Sequence, residues 1–253
     1  MMRAFSETSY VICTTPRSGS TMLCGLLRST GVAGWPESHF HRPALGSWLA
    51  DHGLAQEDYA SDAAACEAVF AAAIERGKAG GDVFALRLQR DSFPFFFETL
   101  ARLVPDRAGD AARFEQLFGQ TRFIHLFRGD PVDQAISRLR AEQTGLWHRR
   151  ADGSVLEQEA PTLPPGYDRA EIEAHVTAIT AQNDAWMRWF AREGIMPIQV
   201  RYEDLAAAPK KTLHDLLAAL GLDAGRAEAA QVQTARLADV TNRAWRQRFD
   251  AGR

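Results

Sequence analysis

The heptapeptide TPRSGST at 15–21 carries the residue types from which an oxyanion site is built. Gly19 lets the backbone approach an anion, and the amides of Ser18 to Thr21 point outward at a helix start where the dipole favours negative charge. Ser20 and Thr21 add hydroxyl donors. Arg17 adds a planar, permanently charged fork able to hold two phosphate or sulfonate oxygens at once. The same residues would also serve as an N-cap and tight turn with no ligand, so a second anion site is what decides between the two. RGDPVDQAIS at 128–137 offers one. If a helix starts at Asp130 or Pro131, Ser137 lies almost two turns in, and Arg128 and Ser137 converge on one phosphate. Taken alone, Arg128 would rather pair with Asp130 or Asp133. A triphosphate loop of the Walker type needs a longer spacing between its glycines and then a lysine, and neither is present. His39 and His41, one residue apart with no carboxylate or thiol cluster, do not make a metal site.

Such groups need a frame to position them. The chain has 253 residues, 46% of them hydrophobic and 24% charged, which suits one α/β domain over 1–253. A net charge of -3 gives no basic footprint for nucleic acid, so an anion must be caught by a few placed cations. Cys13, Cys24 and Cys66 form no paired spacing, and Cys13 and Cys24 sit in apolar stretches as buried thiols would, which points to a reducing compartment. MMRAFSETSY lacks the apolar core of a signal peptide and no apolar run is long enough to span a membrane, which leads us to expect a cytoplasmic protein.

Apolar runs at 9–15, 82–88, 122–127 and 196–201 predict strands. Helical periodicity covers 61–77, 92–104 and 168–193, together with a helix from Ser20 that stops near Gly31 and another from Asp130 or Pro131 to about Trp147. Residues 148–167, with Pro161, Pro164, Pro165 and Gly166, read as an irregular loop, a lid or an interaction surface. The C-terminal part is mostly helical, and its arginines Arg243, Arg246 and Arg248 read as a solvated face. Strands alternating with helices predict a P-loop-like three-layer α/β fold, with a mostly parallel central sheet flanked by helices. Ligands of such sheets bind beyond the carboxyl ends of the strands, where TPRSGST falls.

A short arginine-bearing loop suits a ligand ending in a 5′-phosphosulfate. The pairing of TPRSGST with R-x-D-x-x-x-Q-A-x-S resembles the sulfotransferases that use 3′-phosphoadenosine 5′-phosphosulfate (PAPS), in particular the bacterial family typified by trehalose 2-sulfotransferase. STGVAGWPESHF (29–40), strand 82–88, QAISRLRAEQTGLWHR (134–149), WMRWFAREGIMPIQVRYEDL (186–205) and NRAWRQRF (242–249) extend that resemblance over nearly the whole chain. It implies that Arg17, Ser18, Gly19, Ser20 and Thr21 bind the 5′-phosphosulfate and that Arg128 and Ser137 bind the 3′-phosphate. It also implies that the sulfonate passes in line to a hydroxyl of a carbohydrate or glycolipid acceptor without a metal, leaving 3′-phosphoadenosine 5′-phosphate (PAP). Arg17 would stabilise the transition state.

The family's base is a glutamate two residues after the proline of G-x-P-x-E-F-F, and Ser38 stands there in this chain. Glu37 is the preferred substitute, His39 the second choice, and a more acidic acceptor the third. On the acceptor side, the resemblance puts Arg87 near the transferred group, while Gln143, Trp147 and His148 are candidates for the pocket wall. A homodimer would follow from the same resemblance, with loop 148–167 contributing to its interface. Two other classes remain open: an ATP-dependent kinase, which would need magnesium ligands and a lysine loop, and a catalytically inactive nucleotide-binding sensor or scaffold, for which Ser38 speaks.

Overall fold

A computed structural model describes residues 8–149, 152, 154–158, 164–232 and 240–252. Four strands, β1 (Thr8–Thr14), β2 (Val83–Gln89), β3 (Gln120–Phe127) and β6 (Ile198–Arg201), form one sheet in the order β2-β1-β3-β6. Every pairing is parallel. The register sets Thr14 opposite Gln89 on one side and Leu126 on the other, so β1, β2 and β3 end together. The loops that follow them therefore open on a single edge.

Helices cover both faces, which is why β1 reads as a continuous apolar run rather than an alternating one. Between β1 and β2 lie α1 (Ser20–Ser29), α2 (Leu45–Asp51) and α3 (Asp62–Lys78), and between β2 and β3 lie α4 (Phe93–Leu103) and α5 (Asp110–Phe118). One face of the sheet packs an aromatic core that includes Phe40, Trp48, Phe70, Phe84, Phe96 and Trp186. The other packs a mainly aliphatic core with Ile12, Leu23, Leu27, Leu126, Leu213 and Leu217. This second core brings in α9 (Pro209–Leu220), which follows β6 and the short α8 (Tyr202–Ala207). A third cluster joins α6 (Pro131–Thr144), α7 (Arg169–Glu193) and α10 (Val240–Ala251) through Ile136, Leu139, Ile179, Trp245 and Phe249.

The predicted strands and long helices lie within two residues of their expected bounds, and the three-layer α/β architecture is the one expected. Two segments differ. The helix expected to reach Trp147 stops at Thr144, because Gly145 takes a left-handed conformation (φ 68°). The chain then turns extended and forms an antiparallel pair, β4 (Leu146–Arg149) with β5 (Val155–Gln158), inside the stretch read as irregular. Residues 159–163 of that stretch, Pro161 among them, lie outside the described residues. Helices α2 and α5 had no counterpart in the sequence reading. No described helix is long and apolar enough to cross a membrane. Cys13, Cys24 and Cys66 are free, and burial pushes the Cys24 thiol up to about 12.

Candidate functional site

Loop 15–19 leaves the carboxyl end of β1 between two neighbouring strand ends and runs into α1, whose N-cap is Gly19 (φ 88°) with no side chain capping the first turn. The first amides of that helix therefore have no partner within it. Arg17 is also left-handed (φ 65°), an uncommon conformation for a residue with a side chain. A Cβ on Gly19 would stand 2.8 Å from Cε2 of Tyr202 and closer still to Cδ2, so only glycine fits.

Bonds from several distant elements fix the loop. Thr14 donates to the Leu126 carbonyl at 2.9 Å, which leaves Ser18 to donate its own hydroxyl hydrogen to Thr14 Oγ1 at 2.5 Å. The Ser18 side chain is thus committed inward, and its backbone is what it offers to a ligand. From α6 the fully buried Gln134 donates to Thr15 Oγ1 at 2.9 Å and to the Pro16 carbonyl at 2.6 Å. From α7 Trp186 donates to the Thr14 carbonyl at 2.9 Å.

Two guanidinium groups and an imidazole line the cradle. Arg17 donates through Nε to Ser137 Oγ at 3.1 Å and through Nη1 to the Trp147 carbonyl. Arg87 donates through Nη1 to Thr21 Oγ1 at 3.1 Å and through Nε to Ser38 Oγ at 2.9 Å. Thr21 Oγ1 accepts from Arg87 and lies 3.0 Å from His148 Nε2, a hydrogen bond whose direction is set by the imidazole tautomer. Burial, then the charges of Arg17 and Arg87, push His148 down to about 3, so it stays neutral.

The segment 34–40 runs alongside the outer edge of β2. Glu37 bridges to Leu86, with the Arg87 amide donating to the Glu37 carbonyl at 2.9 Å. The Glu37 carboxylate is exposed. Its Oε1 accepts from the Trp35 indole at 3.2 Å, and its Oε2 is 3.8 Å from Arg87 Nη2. His39 faces the other way: it is 4% exposed, its Nε2 donates to the Trp35 carbonyl at 3.2 Å, and its ring stacks on Phe84. Burial pushes it down to about 4.

Arg128 leaves β3 at the same edge. Its side chain is only 10% exposed, its nearest carboxylate is Asp133 at 3.8 Å, and its guanidinium stands 4.5 Å from the Tyr202 ring centroid. Its buried Nε has no hydrogen-bond partner among the described residues. A buried, unpartnered guanidinium donor carries a solvation cost that an anion would relieve. Asp133 is shared with Arg246 of α10 at 3.3 Å, which also binds the α6 N-cap Asp130 at 2.5 Å. Arg246 is therefore an anchor of α10 on the start of α6 and not part of a solvated face.

The structure brings Arg17, Thr21, Glu37, Ser38, Arg87, Ser137, Trp147 and His148 into one contiguous set, with Gly19 and Arg128 joined to it through Tyr202. Gln143 is placed differently: its amide donates to the Gly166 carbonyl and accepts from the Gly166 amide, both at 3.0 Å, clamping the approach to α7. Sequence reasoning missed Gln134, Tyr202 and Trp186 as supports of the loop. Their only signal was their position inside the stretches 134–149 and 186–205 that carried the resemblance. Among the described residues, no group of three or more His, Cys, Asp or Glu could hold a metal ion.

A glycine-capped loop at the carboxyl edge of a parallel sheet, rimmed by arginines and without the lysine of a Walker-type loop, is an α/β surface suited to an oxyanion. Comparison with known proteins makes this specific. The chain belongs to the Stf0 sulphotransferase family, whose model matches residues 9–252. It is 30% identical over 264 residues to trehalose 2-sulfotransferase of Mycobacterium tuberculosis, an alignment covering 96% of this chain and 94% of that protein. The trehalose 2-sulfotransferase of Mycolicibacterium smegmatis is 29% identical with the same coverage. Among solved structures, the sulfotransferase domain of the Synechococcus PCC 7002 olefin synthase aligns with a TM-score of 0.43 and 17% identity, over 88% of this chain and 75% of that one.

Proposed function

We propose that this sulfotransferase moves the sulfonate of PAPS to a hydroxyl of a carbohydrate or glycolipid acceptor. The observation that carries the reading is the buried Arg128, whose Nε has no partner among the described residues, at the same sheet edge as an arginine-rimmed cradle: two candidate anion sites, as PAPS requires. Arg17, the backbone of Ser18 to Ser20 and the Thr21 hydroxyl would hold the 5′-phosphosulfate, and Arg128 with Ser137 the 3′-phosphate. The donor supplies a sulfur activated by its phosphate leaving group. Transfer forms the bond from the acceptor oxygen to sulfur as the bond from sulfur to the 5′-phosphate oxygen breaks.

Glu37 takes the acceptor proton on a carboxylate oxygen, at the rim where Arg87 connects it to Thr21. Arg17 and Arg87 offset the negative charge that spreads over the sulfonate and leaving oxygens. His39, turned inward with its proton on the Trp35 carbonyl, supports the loop from beneath. The inactive sensor or scaffold is the competing reading, and the exposed Glu37 carboxylate at the cradle rim is what favours catalysis.

Calorimetric titration with PAP, with ATP as control, tests the donor site. Binding to wild type that Arg128→Ala weakens by about 2 kcal/mol or more, as for a lost charged contact, is the expected result. Equal preference for ATP would overturn it.

A further inference from the structure

Trp35 is not needed for the core, yet it is held firmly in place. Its backbone amide donates to the Gly77 carbonyl at 2.7 Å and its own carbonyl accepts from His39 at 3.2 Å. The indole is 37% exposed, one face lies against the Arg28 guanidinium at 4.0 Å from the ring centroid, and the ring N–H donates to Glu37 Oε1. A half-exposed aromatic ring of fixed orientation, bonded through its polar edge to a carboxylate, combines the two elements that hold a sugar. The ring offers a flat apolar surface to the C–H face of a pyranose, and the carboxylate takes a hydroxyl proton. The Arg28 charge behind the ring stiffens it without covering both faces.

We propose that Trp35 is the acceptor platform of this enzyme, stacking on a pyranose ring and aiming Glu37 at one of its hydroxyls. The proposal rests on the reading of Glu37 as the acceptor-side base. Trp35 then has two separable roles. Its ring surface binds acceptor, and its N–H positions the carboxylate. It favours acceptors with a ring over linear polyols, and it places the sugar beside α1 rather than over the β4–β5 hairpin.

Two variants separate these roles. Saturation-transfer NMR with trehalose, methyl glucopyranoside and glycerol, each with PAP present, reads sugar contact without turnover. Wild type and Trp35→Phe are expected to give transfer to the two pyranosides and none to glycerol, and Trp35→Ala is expected to lose it while calorimetry shows PAP binding intact. In turnover with PAPS, Trp35→Phe should lower kcat about fivefold with KM little changed, because the ring stays and the N–H goes. Trp35→Ala should raise KM about tenfold as well. Pyranoside contact that survives in Trp35→Ala, or its absence in wild type with all the pyranosides, overturns the proposal. If the sugars bind at Trp35 but no sulfonate is transferred, the catalytic reading fails and the platform stands. Loss of PAP binding in wild type would count against the donor site alone.

Discussion

Arg17 Nε donates to Ser137 Oγ across 3.1 Å, joining the loop after the first strand to the helix after the third. The two residues were read as belonging to separate anion sites, one for each end of the donor. Their contact makes the sites neighbours on one surface, and a ligand that reaches both must meet a pre-formed link between them. Arg17→Lys keeps the charge but cannot hold Ser137 and the Trp147 carbonyl together, since lysine lacks the planar fork. It is expected to weaken PAP about tenfold or more by calorimetry. Unchanged affinity would show that the fork is not used for the donor.

Gly19 tests the cradle's shape. Gly19→Ala must place a methyl group against the Tyr202 ring at a left-handed backbone position. A loss of about 1–3 kcal/mol of stability is expected in urea unfolding, together with weaker PAP binding. Gly19→Ala combined with Tyr202→Ala relieves the contact but not the backbone strain, and should recover part of the loss.

Glu37→Gln is nearly isosteric and keeps an acceptor for the Trp35 indole while removing the proposed base. Turnover is expected to fall at least about tenfold with PAP affinity little changed. Normal turnover would remove Glu37 as the base.

The buried His39 sets a pH dependence of stability. Held neutral in the fold with its value pushed down to about 4 from the usual 6.5, it binds fewer protons folded than unfolded between those values. Stability is therefore fully present above about pH 6.5 and is lost as pH falls toward 4, by up to about 1.4 kcal/mol per pH unit. His148, also depressed, adds to the same slope. Unfolding curves of His39→Asn over that range should show a shallower slope than wild type, at lower stability overall.

Much of this site could be read from the residue order, for reasons that differ by residue. The strands were legible because burial on both faces leaves uninterrupted apolar runs. The cradle was legible because a left-handed cap next to a strand leaves few choices besides glycine. Trp147 was misplaced on a helix because nothing local distinguishes Leu146 and Trp147 from the preceding helical turns; Gly145 ends the helix, and pairing with β5 makes the segment extended. His39 was overrated because loop residues read as exposed, and its burial comes from Phe84, which lies 45 positions away by the numbering. Gln134 and Tyr202 support the cradle through contacts that only the folded sheet creates.

The bridge from Glu37 to Leu86 has a consequence outside catalysis. β2 is the outermost strand on its side, and a bare strand edge invites pairing with other chains. By running alongside it, the segment that carries Glu37 and Trp35 occupies part of that edge. The loop therefore also blunts that edge against pairing with another chain.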